Sequence, residues 1–239
     1  MEGVDAGNGA SGTNCALLID LAASRQGAYA CCMAAAAHIL GVILAGGKSR
    51  RFGGGDKGLA DLGGRPVLAH VIDSFRPQVG RLILNINGEP GRFASFGLPL
   101  VADGENPELG PLSGILAAFD WQKRHAPDCI AIATVSTDVP FLPADLVARL
   151  DAMRNGGIAL ATSNGRRHPT VALWPLSSRT AIADALQRRA LSVNALTEHL
   201  NAVAVPFPMR NIDGSAVDPF LNVNTPDDLA IARALLSNP

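Results

Sequence analysis

The tightest constraint on the fold is one run in which an apolar strand empties into glycines and charge. Ile39-Leu40-Gly41-Val42-Ile43-Leu44 carries no polar side chain and leads at once into Ala45-Gly46-Gly47-Lys48-Ser49-Arg50-Arg51-Phe52-Gly53-Gly54-Gly55-Asp56-Lys57. A strand apolar on both faces must be covered on both, as in the middle of a parallel sheet. The glycines let backbone N–H groups come close to a ligand, and Arg51 and Lys57 carry the charge that polyphosphate oxygens need. The plain alternative is a surface loop with solvated cations; the buried strand just before it favours phosphate binding. Gly53-x-Gly55-x-x-Gly58 has dinucleotide-fingerprint spacing, but a charged octet separates it from the strand, and the full P-loop pattern is absent.

Strand-like and helix-like stretches alternate from there on. Ile39–Leu44, Arg81–Asn87, Leu98–Val101, Cys129–Ser136, Ile158–Thr162, Thr170–Trp174 and Ala202–Pro206 read as strands. Helices are expected over Pro66–Phe75, Pro111–Lys123, Pro143–Met153, Leu176–Arg188, Val193–Leu200 and Pro226–Leu236. Thr225 caps the last of these, with Asp227 and Asp228 in its first turn. Asn164-Gly165-Arg166-Arg167-His168 reads as a basic turn between two of the strands. The rhythm predicts a three-layer α/β/α sandwich around a mostly parallel sheet, with its site at the strand C-termini.

Residues 1–37, rich in Gly, Ala, Ser and Asn, read as a disordered or marginal extension ahead of one domain over 38–239, with Met33 an alternative start to Met1. The apolar stretch Ala28–Leu44 imitates a membrane segment, but its first half is Ala and Cys, and its second half is the strand that enters the loop. A net charge of -1 gives no global field for nucleic acid or an anionic membrane, so phosphates must be gripped locally. Cys15, Cys31, Cys32 and Cys129 have no metal-type spacing; Cys129 reads as a small buried hydrophobe, and a reducing cytoplasm is the expected location.

Asp138 follows the most apolar strand and therefore stands at the sheet's C-terminal edge. It suits Mg²⁺, a hard cation that takes one or two protein oxygens and completes its shell with water and phosphates. A turn-forming Asp ahead of Pro140 is the competing reading. Asn85 and Asp103 also end strands, where Asx residues commonly close turns.

Leu44-Ala45-Gly46-Gly47 through Arg51 to Asp56-Lys57 resembles the signature of the molybdenum cofactor guanylyltransferases (MobA type). The likeness continues through Asn85, Asp103, Gly110-Pro111-Leu112-Ser113-Gly114, Asp138-Val139-Pro140-Phe141-Leu142-Pro143, His168-Pro169-Thr170 and Asn222-Val223-Asn224-Thr225-Pro226, in the family's order. Phe52 departs from the methionine usual in the loop, and Ser136-Thr137 from the small residues or cysteines usual before the Asp. The resemblance implies a Rossmann-like nucleotidyltransferase sheet and GMP transfer from GTP to molybdopterin with release of pyrophosphate. It implies a GTP site of Leu44, Ala45, Gly46, Gly47, Lys57, Asn85, Asp103 and Asp138, catalytic roles for Asp138, Lys57 and Arg51, and Mg²⁺ on Asp138. Arg167, His168, Asn222 and Asn224 are candidates for the pterin side, and cofactor-supplying or cofactor-accepting proteins are possible transient partners. The rivals are a cytidylyltransferase on the same pterin, whose loop usually reads L-A-A-G, a sugar-phosphate relative, and a non-catalytic GTP-binding module.

Overall fold

The structure, a computed structural model, describes residues 36–46, 56–104, 109–212 and 214–237. Residues 1–35 of the proposed extension, with the alternative start at Met33, and Gly47 and Arg51 therefore lie outside the described residues. In chain order the strands are β1 (Ile39–Ala45), β2 (Asp61–Leu62), β3 (Arg65–Pro66), β4 (Arg81–Ile86), β5 (Leu100–Ala102), β6 (Ala131–Ser136), β7 (Ala159–Ser163), β8 (Arg166–Pro175), β9 (Val203–Pro206), β10 (Arg210–Ile212) and β11 (Ser215–Val217). The α-helices are α1 (Val67–Phe75), α2 (Pro111–His125), α3 (Leu146–Met153), α4 (Ser178–Gln187), α5 (Val193–His199) and α6 (Pro226–Ser237).

A seven-stranded sheet runs in the order β5-β4-β1-β6-β8-β7-β9. Its first four strands are parallel; β8 is antiparallel to both β6 and β7, and β9 returns parallel to β7. The side chains of β1 alternate between two cores. Ile39, Ile43 and Ala45 face one built with Leu68, Val71, Phe75, Val147 and Leu150 from α1 and α3. Leu40, Val42 and Leu44 face the other, built with Leu112, Ile115, Phe119, Ile182 and Leu196 from α2, α4 and α5. Burial on both faces explains the unbroken apolar reading of this strand and makes the three layers. Gly41 fits the same logic: a Cβ there would come within 2.8 Å of Val79 and 3.1 Å of Phe75, so its absence lets α1 seat on the sheet. Cys129 is fully buried and unpaired, and desolvation foremost raises its thiol pKa. A third cluster, with Leu62, Phe141, Val223 and Leu229, lies under α6 and ties the end of the chain to the loop after β6.

Several boundaries differ from the sequence expectations. Arg166, Arg167 and His168 belong to β8, not to a turn: the turn is Asn164-Gly165 alone, with φ of 46° and 71°. Asn-Gly with two positive φ values is the tight hairpin whose twist matches its strands, so pairing begins at once, Ser163 opposite Arg166. The expected helix from Pro143 begins instead at Leu146, because Gln78 reaches across to accept from Val147 N and donate to Pro143 O, fixing Pro143–Asp145 as a turn. β5 starts two residues later than expected, after Pro99, whose ring nitrogen cannot donate to a ladder. The two short hairpins, β2–β3 and β10–β11, were not expected. Among the described residues no helix is long and apolar enough to cross a membrane.

Candidate active site

The register of the parallel strands gathers the functional positions at one edge. Leu44 stands opposite Asn85 on one side and Ser136 on the other, and Asn85 opposite Val101. Thr137 N then bonds Leu44 O, at 3.4 Å, so Gly46, Asp103 and Asp138 all leave the sheet at its C-terminal end, next to Asn85 near the end of β4. Leu44 and Ala45 themselves are buried in β1, where only their backbone can serve a ligand.

Lys57 reaches this edge on a short 3₁₀ turn, Lys57–Leu59, capped by the Asp56 carboxylate accepting from Gly58 N. A Cβ at Gly58 would lie 3.2 Å from the Thr137 Cβ, so the glycine lets the turn press on the segment that carries Asp138. Lys57 Nζ donates to Asn224 Oδ1 at 2.5 Å and stands 4.0 Å from Asp138 Oδ2. Val223 N donates to Asp138 O at 2.8 Å, which locks the 222–225 segment beside both. Asn224 is held in turn by a reciprocal cap on α6: Asp228 Oδ2 accepts from Asn224 N (3.0 Å) and Thr225 N (2.8 Å), and Thr225 Oγ1 accepts from Asp228 N (3.1 Å). Burial opposes ionisation of Asp228, but these hydrogen bonds and the Lys57 charge prevail and hold its carboxyl below the usual range.

Asp138 Oδ1 is buried and has no hydrogen-bond partner among the described residues. A carboxylate oxygen removed from water without a donor is costly unless something cationic meets it. No cluster of three His, Cys, Asp or Glu surrounds it among the described residues. The single carboxylate fits a hard divalent cation whose remaining ligands are water and substrate phosphates.

The Asn85 side chain is turned inward. It is 2% exposed, and its Nδ2 donates to Val101 O (3.1 Å) and Asp103 Oδ1 (2.8 Å). Gly114 on α2 makes room for it, since a Cβ there would fall 2.1 Å from Asn85 Oδ1. Both Asn85 N–H bonds tether β5 and hold Asp103, which stands half-exposed at the edge. Desolvation raises the Asp103 pKa, opposed by the Asn85 hydrogen bond.

Arg167 and His168 do not form a solvated basic turn. Arg167 Nε donates to Asn194 (3.0 Å) and its terminal nitrogen to Thr197 (3.2 Å), both on α5. His168, 6% exposed, faces the other way, with Nε2 2.7 Å from Ser163 Oγ and its ring 4.8 Å from that of Phe220. Asn222 lies beside the site and offers its carbonyl to Asn224 N at 3.1 Å. Residues that sequence reasoning passed over include Arg92, 3.7 Å from Asp56, and Asp228, read only as a dipole partner. Asp228 was recoverable as a capping box with Thr225; nothing in the sequence connects Arg92 to Asp56.

The fold and this edge define the class: an α/β nucleotidyltransferase, with residues 41–203 matching the MobA-like NTP transferase domain. The chain belongs to the molybdenum cofactor guanylyltransferase family. A protein of that name from Mesorhizobium japonicum is 46% identical over 207 residues, covering 84% of this chain and 97% of the relative. The molybdopterin-guanine dinucleotide biosynthesis protein A of Archaeoglobus fulgidus shares the fold with a TM-score of 0.65 at 22% identity, over 84% of this chain and all of that one. A Mycobacterium tuberculosis protein solved in complex with manganese superposes with a TM-score of 0.58 at 17% identity, over 82% of this chain and 98% of its own.

Proposed function

We propose that this chain transfers GMP from GTP to molybdopterin, forming the guanine dinucleotide and pyrophosphate, with Mg²⁺ held by Asp138. The observation that carries the reading is the buried Asp138 Oδ1, unpartnered among the described residues, beside Lys57 at the sheet's C-terminal edge, in a chain 46% identical to a molybdenum cofactor guanylyltransferase. Manganese in the structurally similar M. tuberculosis protein supports a divalent cation; Mg²⁺ is the choice because a lone carboxylate with phosphates suits it.

The terminal phosphate of molybdopterin is already anionic, so no protein nucleophile is required. Its oxygen bonds to the α-phosphorus of GTP while the bond to the β-phosphate oxygen breaks and pyrophosphate departs. Bound at Asp138, Mg²⁺ would neutralise the charge shared between the α-phosphate and the leaving pyrophosphate. Lys57, held by Asn224, fixes one cation against the triphosphate, and Arg51 with the backbone of 44–47 grips its remaining oxygens. Asp103, aimed by Asn85, accepts from a donor edge of the nucleoside, while Asn222 and Asn224 line the acceptor side. Catalysis then rests on alignment and on charge placed in advance.

The test is steady-state kinetics of pyrophosphate release with a Mg²⁺ titration. Asp138→Ala is expected to stay folded and lose about 10²-fold or more in turnover, as when one preorganised electrostatic contact is removed. Near-normal turnover of a folded Asp138→Ala at ordinary Mg²⁺ would remove the metal from Asp138 and turn attention to Asp103.

A further inference from the structure

A buried polar chain links the antiparallel half of the sheet to the segment that carries Asn224. Ser163, at the end of β7, is 2% exposed. Its Oγ lies 2.7 Å from Asp218 Oδ1 and 2.7 Å from His168 Nε2. A hydroxyl has one proton and a carboxylate only accepts, so Ser163 donates to Asp218 and His168 must donate from Nε2 to Ser163. Burial, outweighing the pull of Asp218, holds the His168 pKa below its ordinary value. Asp218 Oδ1 also accepts from Phe220 N at 2.8 Å, and the Phe220 ring is clasped between His168 and Phe207, with centroids at 4.8 and 5.3 Å. Three residues on, Val223 N holds the Asp138 carbonyl, and Asn224 receives Lys57.

We propose that Ser163, His168 and Asp218 are positioning residues, which set the register of the 220–224 strap and so place Asn224 on Lys57 and Val223 on Asp138. This rests on the reading of Lys57, Asp138 and Asn224 as the reacting centre. An apolar trio could have filled the same space beside Phe220 without desolvating a carboxylate and an imidazole; what a polar chain adds is one permitted geometry. The chain belongs to β7, β8 and the strap, while Gly46, Asn85 and Asp103 belong to the parallel half. Its loss is therefore felt more in turnover than in the hold on GTP, which Lys57 shares with Asp103.

Ser163→Ala removes one oxygen and leaves both neighbours in place. It is expected to lower kcat about tenfold, the scale of a small misalignment of reacting groups, with the KM for GTP changed less than about twofold. His168→Gln, which can present an amide N–H near the position of Nε2–H, should recover most of the activity that His168→Leu loses. Because Ser163 and Asn224 act through one contact, Ser163→Ala combined with Asn224→Ala should lose less than the product of the single losses. Hydrogen exchange at Val223 N–H should quicken in Ser163→Ala, while exchange in β1 and β4 stays as in the wild type. Unchanged exchange at Val223, multiplying losses, or a Gln variant no better than Leu would overturn the positioning role. A wild-type protein that transfers no GMP would instead sink the reading of the reaction, and the exchange experiment would still decide the strap.

Discussion

Asp103 carries a pH dependence that can be read without substrate. Burial raises its pKa in the fold, against the Asn85 hydrogen bond, so its ionised form is less comfortable folded than unfolded. A carboxyl raised in this way stabilises the fold below its unfolded pKa, and that contribution is lost as pH rises through the folded value. Asp103→Asn keeps an acceptor for Asn85 Nδ2 and cannot ionise. Thermal melts should find it more stable than the wild type at neutral pH, with the difference vanishing as pH falls below the ordinary carboxylate range, while its turnover drops. A lower melting temperature at neutral pH would show that the charge is welcome where it stands. Gly114→Ala tests the same corner from α2. Its new Cβ, 2.1 Å from Asn85 Oδ1, must push the amide off Asp103, and the expected result is a several-fold rise in the KM for GTP. Unchanged GTP affinity would mean that Asn85 does not aim Asp103.

At the scale of elements, the first turn of α6 holds part of the site. The Thr225–Asp228 box fixes Asn224, so Thr225→Ala should cost about 1 kcal/mol, the usual worth of an N-cap side chain, and should lower turnover as well, because Lys57 loses a fixed partner. Chemical denaturation together with kinetics checks both, and a stability loss with wild-type kinetics would confine the box to folding. The helices and parallel strands were legible because each states its periodicity locally: β1 is apolar on both faces, and α1 places Leu68, Val71, Ile72 and Phe75 on one buried side. The end of the β7–β8 hairpin was not, because Arg166-Arg167-His168 looks like solvated charge until the Asn164-Gly165 turn is given its tight geometry. Asp138, Lys57, Asn85 and Asp103 were legible as positions, since motifs mark them. Their pairings were not: Lys57 meets Asn224 across 167 residues, a contact that local chemistry does not encode.

The whole molecule is a parallel half that presents Gly46, Asp103 and Asp138, joined to a half centred on the β7–β8 hairpin that presents the 220–224 strap. The first element of the sheet begins at Ile39, and His38 is the earliest described backbone group to join the ladder, its carbonyl accepting from Ile130 N at 2.8 Å. A chain beginning at Met33 keeps these contacts and should melt and turn over like the full one; a large loss of melting temperature would assign the first 32 residues a part in the fold. Guanylyl transfer to molybdopterin is tested most directly by incubating the protein and Mg²⁺ with molybdopterin and, separately, each of the four nucleoside triphosphates, measuring dinucleotide and pyrophosphate together. Polar groups built for one base reject another by being left unpaired. GTP should give equal amounts of guanine dinucleotide and pyrophosphate, with CTP, ATP and UTP far behind; equal turnover of CTP, or pyrophosphate without dinucleotide, would contradict a guanylyltransferase.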